Sequence, residues 1–268
     1  MNQNFIVPVS VVIPCFNCAK TIDRAVKSVL KQVVLPAEII LVDDASEDET
    51  LTILNEMHRN NPNQIKVVRL LCNKGVGSAR NAGWEVATQD FIAFLDSDDT
   101  WHPDKLRIHY DYMKRHQDVS ISGHLCEFVP DVKVPPEALL KTTVTEIDFV
   151  SLLFRNAFST PTVMVKHDIL IRFKEGKRAA EDILLWQQIA LLKLRIVRLE
   201  SVLAYVHKPL YGSAGLSANL WEMEIGELSN FTTLYRSKYI GIFLYITVTI
   251  FSIIKFIRRV LITKLKKL

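Results

Sequence analysis

Cysteine is scarce in this chain, with four in 268 residues. Cys15 and Cys72 stand in apolar sequence surroundings, which fits a reducing cytosol and argues against a disulfide scaffold. Cys15 and Cys18 have the C-x-x-C spacing, but no second pair of ligands accompanies them. We therefore set zinc binding and thioredoxin-type chemistry aside.

Three further absences narrow the class of protein. The net charge is only +4, so composition offers no reason to expect a nucleic-acid partner. No basic segment and cleavage site precede the strand-like run at Ile6, so we expect no signal peptide. The most apolar run, residues 240–254, falls short of the roughly 20 residues that a membrane-spanning helix needs. These features predict a cytoplasmic protein.

The C-terminal residues are more basic than the rest of the chain. Residues 255–267 carry six Lys or Arg and no acid, among apolar positions that suit an amphipathic helix. Such a helix fits the headgroup region of an anionic leaflet. We expect a membrane-associating tail at the inner face of the cell membrane; a buried core helix with a solvated end is the alternative. The predicted boundary separates a catalytic domain, 1–215, from a C-terminal helical region, 216–268.

The first part of the chain alternates between two periodicities. Short apolar runs predict buried strands at residues 7–13, 38–42, 65–71 and 91–95. Between them, apolar residues at helical spacing predict helices at residues 22–30, 49–59 and 78–87. Strands that alternate with helices across short loops predict an α/β fold, Rossmann-like, with a mostly parallel sheet flanked by helices.

The second part is less regular. Apolar spacing predicts helices at residues 102–115, 146–154, 181–194 and 220–235. It predicts strands at residues 119–124, 160–165 and 196–206. Residues 211–217 are rich in Gly and Ser, which predicts a mobile loop.

Polar clusters follow three of the predicted strands. Asn17 follows the first, Asp43 and Asp44 follow the second, and Asp96-Ser-Asp-Asp99 follows the fourth. The carboxyl ends of parallel strands share one edge of a sheet, where such folds bind ligands. Carboxylates this close repel one another unless a cation lies between them, and oxygen ligands completed by substrate phosphates suit Mg²⁺ or Mn²⁺. We interpret the last cluster as a metal–diphosphate clamp; a solvated turn that caps the next helix is the alternative.

The motifs are more specific together than singly. In order, they are Val11-Val-Ile-Pro14 with Phe16-Asn17, Leu41-Val-Asp-Asp-Ala-Ser46, Asn73-Lys-Gly75 with Ser78-Ala-Arg-Asn-Ala-Gly83, Asp96-Ser-Asp-Asp99, and Glu181-Asp182 with Trp186. In this order and spacing the chain closely resembles family 2 of the inverting, nucleotide-sugar-dependent glycosyltransferases, which have the GT-A fold. The resemblance covers residues 9–101 well and reaches the Glu-Asp pair through a divergent middle.

The resemblance implies a site for the donor. It assigns nucleotide-sugar binding to Pro14, Phe16, Asn17, Asp43, Asp44, Lys74, Arg80, Asp96 and Ser97, and the metal, Mg²⁺ or Mn²⁺, to Asp96 and Asp98. Phe16 would lie beside the nucleobase, with ordinary packing as the alternative. Asp43 or Asp44 would accept the imide N–H of the base, while the other caps a helix. Arg80 would reach the base or the diphosphate, with a surface salt bridge as the alternative.

The resemblance also implies a catalytic base, Asp182. At the start of the predicted helix, the positive end of the helix dipole would stabilise its ionised carboxylate. The alternative is that Glu181 and Asp182 only complement that dipole. Three residues are candidates for contacts with the acceptor or for a lid, namely Glu181, Trp186 and His207. Trp186 could equally belong to the core, and His207 could be structural.

The expected function is transfer of a single sugar from a UDP- or dTDP-sugar to a glycan or lipid-linked acceptor. Cell-surface polysaccharide synthesis, such as that of lipopolysaccharide, is the setting that the resemblance implies. Processive members carry Gln-x-x-Arg-Trp and several transmembrane helices, which this sequence lacks. One alternative is a nucleotidyltransferase, which would need a glycine-rich loop bearing Arg or Lys after the first strand. The other is a non-catalytic, membrane-associated protein that binds nucleotide sugars.

Overall fold

The computed structural model describes residues 5–130, 143–208 and 219–265 of the chain. The loop expected at residues 211–217 lies outside this part. Within the described ranges, none of the helices combines the length and the apolar character needed to cross a bilayer.

The first part of the chain folds as strands and helices in strict alternation. The elements are β1 (Ile6–Cys15), α1 (Ile22–Leu30), β2 (Leu35–Asp43), α2 (Thr50–Asn60), β3 (Ile65–Arg69), α3 (Val76–Val86) and β4 (Phe91–Phe94). β1 lies at the centre, parallel to β2 on one side and to β4 on the other, and β3 extends the sheet beyond β2. The predicted parallel α/β arrangement of this part is confirmed.

The second part continues the same sheet with mixed strand directions. Its elements are β5 (Thr100–Trp101), α4 (Lys105–Arg115), β6 (Val119–Phe128), β7 (Val144–Glu146), α5 (Phe149–Phe154), β8 (Met164–Lys166), α6 (Glu181–Leu191) and β9 (Arg195–Val206). In the described part the order is β3-β2-β1-β4-β8-β6-β9-β5, with β7 paired to β9. β8 is antiparallel to both β4 and β6, while β6 and β9 run parallel, so the sheet is mixed beyond β4.

Two predicted elements differ from the structure in this second part. The helix expected at 146–154 begins at Phe149, because Asp148 caps it by accepting a hydrogen bond from Ser151 N at 2.7 Å. Glu146 instead ends β7, opposite Val197. The strand expected at 160–165 begins only at Met164, because residues 160–162 form a 3₁₀ turn with Pro161 in its first positions. Short apolar runs do not reveal such breaks.

The core lies on both faces of the sheet. Successive residues of β1 point to opposite sides: Val11 and Ile13 pack into the cluster that contains α1 and α4, and Val12 into the cluster with α3 and α6. Gly83 of α3 sits directly on β1, since a Cβ there would come within 2.4 Å of Val12 Cγ1. This close approach seats α3 tightly against the sheet.

The chain ends in two helices, α7 (Leu220–Arg236) and α8 (Ile242–Leu265), which pack against each other and against α5 and α6. Their shared core includes Leu153, Phe231 and Val248. The opposite face of α8 remains apolar and exposed, through Phe243, Ile246, Ile250, Ile254, Ile257 and Leu261. α8 is one helix of 24 residues, Ile242–Leu265, so most of the predicted apolar run and the part of the basic stretch up to Leu265 form one element.

Candidate active site

The carboxyl ends of the parallel strands bring the predicted polar clusters to one edge. Cys15 at the end of β1 lies beside Asp43 at the end of β2, and Asp43 lies beside Arg69 of β3. β4 ends next to the same stretch of β1, with Phe94 paired to Val12. The Asp96–Asp99 segment therefore leaves the sheet at the edge that also carries Asn17.

Arg80 is the centre of the site. Its Nη2 lies 2.7 Å from Asp96 Oδ1 and its Nη1 lies 2.9 Å from Glu181 Oε1. The Arg80 side chain is only 4% exposed and lies over the ring of Phe173. One guanidinium thus joins the end of β4 to the start of α6, two elements far apart in sequence. Arg80 faces these carboxylates and does not point into open solvent.

Asp98 and Asp99 have different surroundings. Asp98 Oδ2 lies 2.7 Å from Lys208 Nζ, and its backbone carbonyl accepts a hydrogen bond from Arg24 Nη2 at 2.5 Å. Asp99 is buried. Burial raises the pKa of Asp99 to about 8, and the charges of Asp96 and Asp98 add to the shift.

The carboxylates of the site raise one another's proton affinity. Burial raises the pKa of Asp96, with repulsion from Asp98 and Asp182 adding to the shift and Arg80 opposing it. Burial raises the pKa of Glu181 to about 7, with Asp182 adding to the shift and Arg80 opposing it. These mutual effects place Asp182 within electrostatic reach of the Asp96 cluster. More negative charge is gathered here than the surrounding cations neutralise.

A divalent metal fits the donor set at Asp96 and Asp98. Each gives one carboxylate oxygen to a protein cation, Arg80 or Lys208, which leaves the second oxygen of each for another ligand. Among the described residues, no group of three or more His, Cys, Asp or Glu side chains is arranged to hold a metal alone. Mg²⁺ is commonly bound by one or two carboxylates together with substrate phosphates, so a two-carboxylate site suits it.

Asp182 stands in the first turn of α6 with its carboxylate held on both sides. Thr160 Oγ1 donates to Asp182 Oδ2 at 3.0 Å, and the backbone N–H of Ile183 donates to Oδ1 at 2.8 Å. The residue is partly exposed, whereas Glu181 beside it is buried. Asp182 is therefore fixed in orientation yet open to an approaching ligand.

A groove of about 750 Å³ runs along the turn after β1. Phe16, Asn17, Ser97, Asp98 and Lys208 are among the residues that line it. Phe16 is 47% exposed, which leaves a ring face open to the groove. Asn17 adopts a left-handed conformation with φ of 48°, and its side-chain oxygen accepts from Glu47 N at 2.9 Å. Asn17 thus ties this turn to the loop after β2.

The two aspartates at the end of β2 have separate roles. Asp44 accepts hydrogen bonds from the backbone N–H groups of Lys74 and Gly75, both at 2.8 Å, and so clamps the loop before α3. Asp43 Oδ1 accepts from Ser46 N, while its Oδ2 is buried without a hydrogen-bond partner among the described residues. Buried acceptors are seldom left unpaired, which sets Asp43 Oδ2 apart from the two bonded oxygens of Asp44.

Some predicted site residues do not face a ligand. Trp186 is fully buried, packed against Phe158 and Phe173, so the core alternative holds and its ring cannot stack on an acceptor sugar. Both ring nitrogens of His207 are engaged, Nε2 with Thr100 Oγ1 and Nδ1 with the Val129 carbonyl, which favours the structural alternative. Pro14 is buried within β1, and Lys74 contributes its backbone N–H, which donates to Asp44.

Sequence reasoning missed three residues of the site: Arg24, Thr160 and Lys208. Arg24 lies 74 positions from Asp98 in the sequence, and Thr160 lies 22 positions from Asp182. No periodicity or motif connects such pairs. Lys208 follows His207 directly, and its position after a predicted strand is the one signal that pointed toward it.

The chain belongs to a known family. The sequence profile described as Glycosyl transferase family 2 matches residues 10–174, from β1 to the segment before α6. Glu181 and Asp182 lie beyond the matched residues. S. aureus TarS, residues 1–349, in complex with UDP-GlcNAc, aligns with a TM-score of 0.66 and 25% identity over 84% of this chain and 66% of that one. This likeness confirms the expected GT-A fold.

Curated relatives match part of this chain. An uncharacterized glycosyltransferase of Nostoc sp. is 37% identical over 117 residues, which are 44% of this chain and 36% of that protein. The UDP-Glc:alpha-D-GlcNAc-diphosphoundecaprenol beta-1,3-glucosyltransferase of Escherichia coli is 39% identical over 109 residues, 38% of this chain and 40% of that protein. The chain matches well under half the length of either relative.

Proposed function

We propose that this chain is an inverting glycosyltransferase that moves one sugar from a UDP- or dTDP-sugar to a glycan or lipid-linked acceptor in cell-surface polysaccharide synthesis. The observation that carries the proposal is the Arg80 bridge, which joins Asp96 to Glu181 and so brings the diphosphate clamp next to Asp182. TarS binds UDP-GlcNAc, and the Escherichia coli relative is named for a lipid-linked acceptor, which supports both substrate classes.

The groove after β1 would take the nucleoside. The half-exposed ring of Phe16 offers an apolar face to a base. The Oδ2 of Asp43, which has no partner among the described residues, would accept the imide N–H of uracil or thymine. This assignment is supported by the contacts of Asp44, whose two oxygens both accept from the backbone of the loop before α3. Asn17 and Ser97 would border the ribose side of the groove.

Asp96 and Asp98 would hold a divalent cation, Mg²⁺ or Mn²⁺, beside the diphosphate. When bound, that cation supplies charge neutralisation for the departing nucleoside diphosphate. Arg80 would orient Asp96 for this role and oppose its protonation. Lys208, at the mouth of the groove, pairs with Asp98 and adds positive charge where phosphates would lie.

Asp182 would act as the general base. Its carboxylate would take the proton of the acceptor hydroxyl while that oxygen bonds to C1 of the sugar. The bond from C1 to the diphosphate breaks with inversion, and the nucleoside diphosphate leaves. The hydrogen bond from Thr160 would keep the carboxylate turned toward the acceptor. Glu181 is paired with Arg80 and is not available for this step.

The exposed face of α8 would lie on the inner surface of an anionic membrane. α8 carries no Asp or Glu, and its exposed stripe is apolar from end to end. Basic residues toward its C-terminal end, such as Arg258, match the negative charge of the leaflet. This placement would bring the site to a lipid-linked acceptor.

The decisive experiment measures UDP release from a panel of nucleotide sugars, including UDP-GlcNAc, with Mn²⁺ or with EDTA. We expect turnover with the metal, loss with EDTA, and loss in Asp182→Asn with UDP affinity preserved. Full activity in EDTA would overturn the metal clamp, and full activity of Asp182→Asn would move the base elsewhere. Binding of a nucleotide sugar without turnover over any acceptor would instead support a non-catalytic protein.

A further inference from the structure

The turn that leads into α6 has a strained backbone. Ala180, directly before Glu181, adopts a left-handed conformation with φ of 54° and ψ of 31°. Residues with a Cβ avoid this region unless the surrounding structure holds them there. The strain lies two residues from the carboxylate that we assign as the base.

A side chain from α7 holds this turn. Asn230 Nδ2 donates a hydrogen bond to the carbonyl oxygen of Ala180 at 2.9 Å, and Asn230 is fully buried. The same carbonyl accepts the first backbone bond of α6, from Leu184 N at 3.3 Å. Asn230 therefore fixes the direction of the peptide from which α6 starts.

Two more contacts lock α7 onto the same turn. Gly226 lies so close that a Cβ there would come within 2.7 Å of the Ala179 carbonyl oxygen. Lys177 Nζ donates to the Gly226 carbonyl at 3.0 Å and to Ser229 Oγ at 3.1 Å. The turn at 177–180 is thus seated on α7 over its whole length.

α7 is joined in turn to α8. Ser252 Oγ donates to Glu224 Oε1 at 2.9 Å in a buried contact, and Lys255 Nζ lies 2.8 Å from Glu227 Oε1. A continuous set of contacts therefore runs from the face of α8 through α7 to the first turn of α6.

We propose that Asn230 is a positioning residue for Asp182: it holds Ala180 in its left-handed conformation, and so the helical hairpin of α7 and α8 sets the orientation of the base. This inference rests on the proposed function, since it assumes that Asp182 acts on the acceptor. Under this proposal the hairpin of α7 and α8 has two roles, because it positions the catalytic base and also carries the proposed membrane-binding face.

The test is Asn230→Ala in the full chain, with UDP release from UDP-GlcNAc and Mn²⁺ as the readout. We expect kcat to fall about 10- to 100-fold, because small misplacements of reacting groups cost that much. UDP affinity should stay within about twofold, since the described residues that line the groove belong to other segments than α7. Adding Ala180→Gly should recover part of the loss, because glycine adopts the left-handed conformation without strain. A merely structural role would not give this selective recovery.

Thr233→Ala is the matched control on α7, since the Thr233 hydroxyl donates within the helix, to the Ser229 carbonyl. It should leave kcat unchanged. Asp182→Asn is measured in parallel. If Asp182→Asn stays active, the proposed function fails. If Asp182→Asn is inactive while Asn230→Ala is fully active, only the inference about Asn230 is overturned.

Hydrogen exchange supplies a readout that needs no turnover. Backbone amides at 179–185 should exchange faster in Asn230→Ala than in the wild type or Thr233→Ala, measured well below the melting temperature. Unchanged exchange in that segment would also overturn the inference. If Asn230→Ala does not fold, Asn230→Ser, which leaves a shorter polar group in the buried site, is measured in the same way.

Discussion

Lys208 Nζ lies 2.7 Å from Asp98 Oδ2, so a protein cation occupies one oxygen of a carboxylate that we assign to the metal. Both side chains are partly exposed, at 46% and 25%, so the pair is accessible to exchange. An incoming divalent cation and this lysine compete for the same negative charge. The Lys208–Asp98 pair should therefore weaken the binding of a divalent metal when no donor is bound.

Lys208→Gln should bind Mn²⁺ more tightly than the wild type when no nucleotide is present. The gain should reach at most about fivefold, since exposed pairs contribute roughly 0–1 kcal/mol. Titration of free Mn²⁺ by electron paramagnetic resonance measures it. Lys20→Gln is the control. Lys20 lines the same groove, and the substitution removes the same charge at a residue other than the one paired with Asp98. Equal gains in both variants would show a general charge effect and contradict the pairing argument.

Thr160→Val should lower turnover about tenfold with little change in UDP affinity. The variant keeps the shape of a buried side chain but removes the hydrogen bond to Asp182 Oδ2, and bonds to charged groups contribute about 1.5–3 kcal/mol. Steady-state kinetics of UDP release measure the effect. Thr160→Ser, which retains the hydroxyl, should recover most of the activity. A Thr160→Val enzyme with wild-type turnover would show that Asp182 needs no such support.

A buried basic cluster away from the site predicts sensitivity to acid. Burial lowers the pKa of His124 to about 3, with the nearby Lys105 adding to the shift. Burial also lowers the pKa of Lys105 and of His109 well below their usual values. His109 Nε2 contacts Ser122 Oγ, and Lys105 Nζ lies over the Trp101 ring, 3.7 Å from its centroid. His124 therefore stays neutral in the folded protein around pH 5.

The sign of the effect follows from proton binding. Unfolded histidine titrates near 6.5, so below that pH the unfolded chain binds a proton that folded His124 does not. His124 therefore lowers the free energy of unfolding as pH falls from about 7 to 5, by about 2 kcal/mol at 1.36 kcal/mol per pH unit. Asp99 and Glu181, whose pKa values are raised, act in the opposite direction over this range.

A variant isolates the histidine contribution. The loss of stability between pH 7 and pH 5, measured by urea unfolding, should be smaller in His124→Gln than in the wild type by about 2 kcal/mol. His167→Gln is the control, because His167 lies outside this cluster and is only partly buried. Identical pH dependence in wild type and His124→Gln would refute the assignment of His124 as a buried neutral group.

The apolar face of α8 predicts binding to anionic vesicles. Ile250→Asp with Ile254→Asp should abolish co-sedimentation with phosphatidylglycerol vesicles, since both residues are half-exposed on that face. Binding of the wild type should weaken at high salt and on phosphatidylcholine alone. Leu170→Asp is the matched control, because Leu170 is 90% exposed but lies before α6. If the wild type does not bind vesicles but forms dimers that dissociate in the double variant, the apolar face of α8 binds a second copy of the chain instead of a membrane.

The alternation of strands and helices up to β4 could be predicted because it depends on short-range patterns. Buried parallel strands are continuous apolar runs, and their carboxyl ends share an edge whatever the details of packing. That reasoning alone placed Asp43 and Asp96 near one another. The second part was harder, since a short run such as 160–165 has no period long enough to separate a 3₁₀ turn from a strand.

The sequence by itself determined the α/β class, the shared edge of the strand ends and the motifs of the family, because each depends on neighbours a few positions apart. Only the tertiary structure decided which aspartate clamps a loop, that Trp186 is core, and that Arg80 joins Asp96 to Glu181. Those outcomes depend on contacts such as the one between Arg80 and Glu181, which are 101 positions apart. At such separations no spacing rule applies, and packing alone selects the partner.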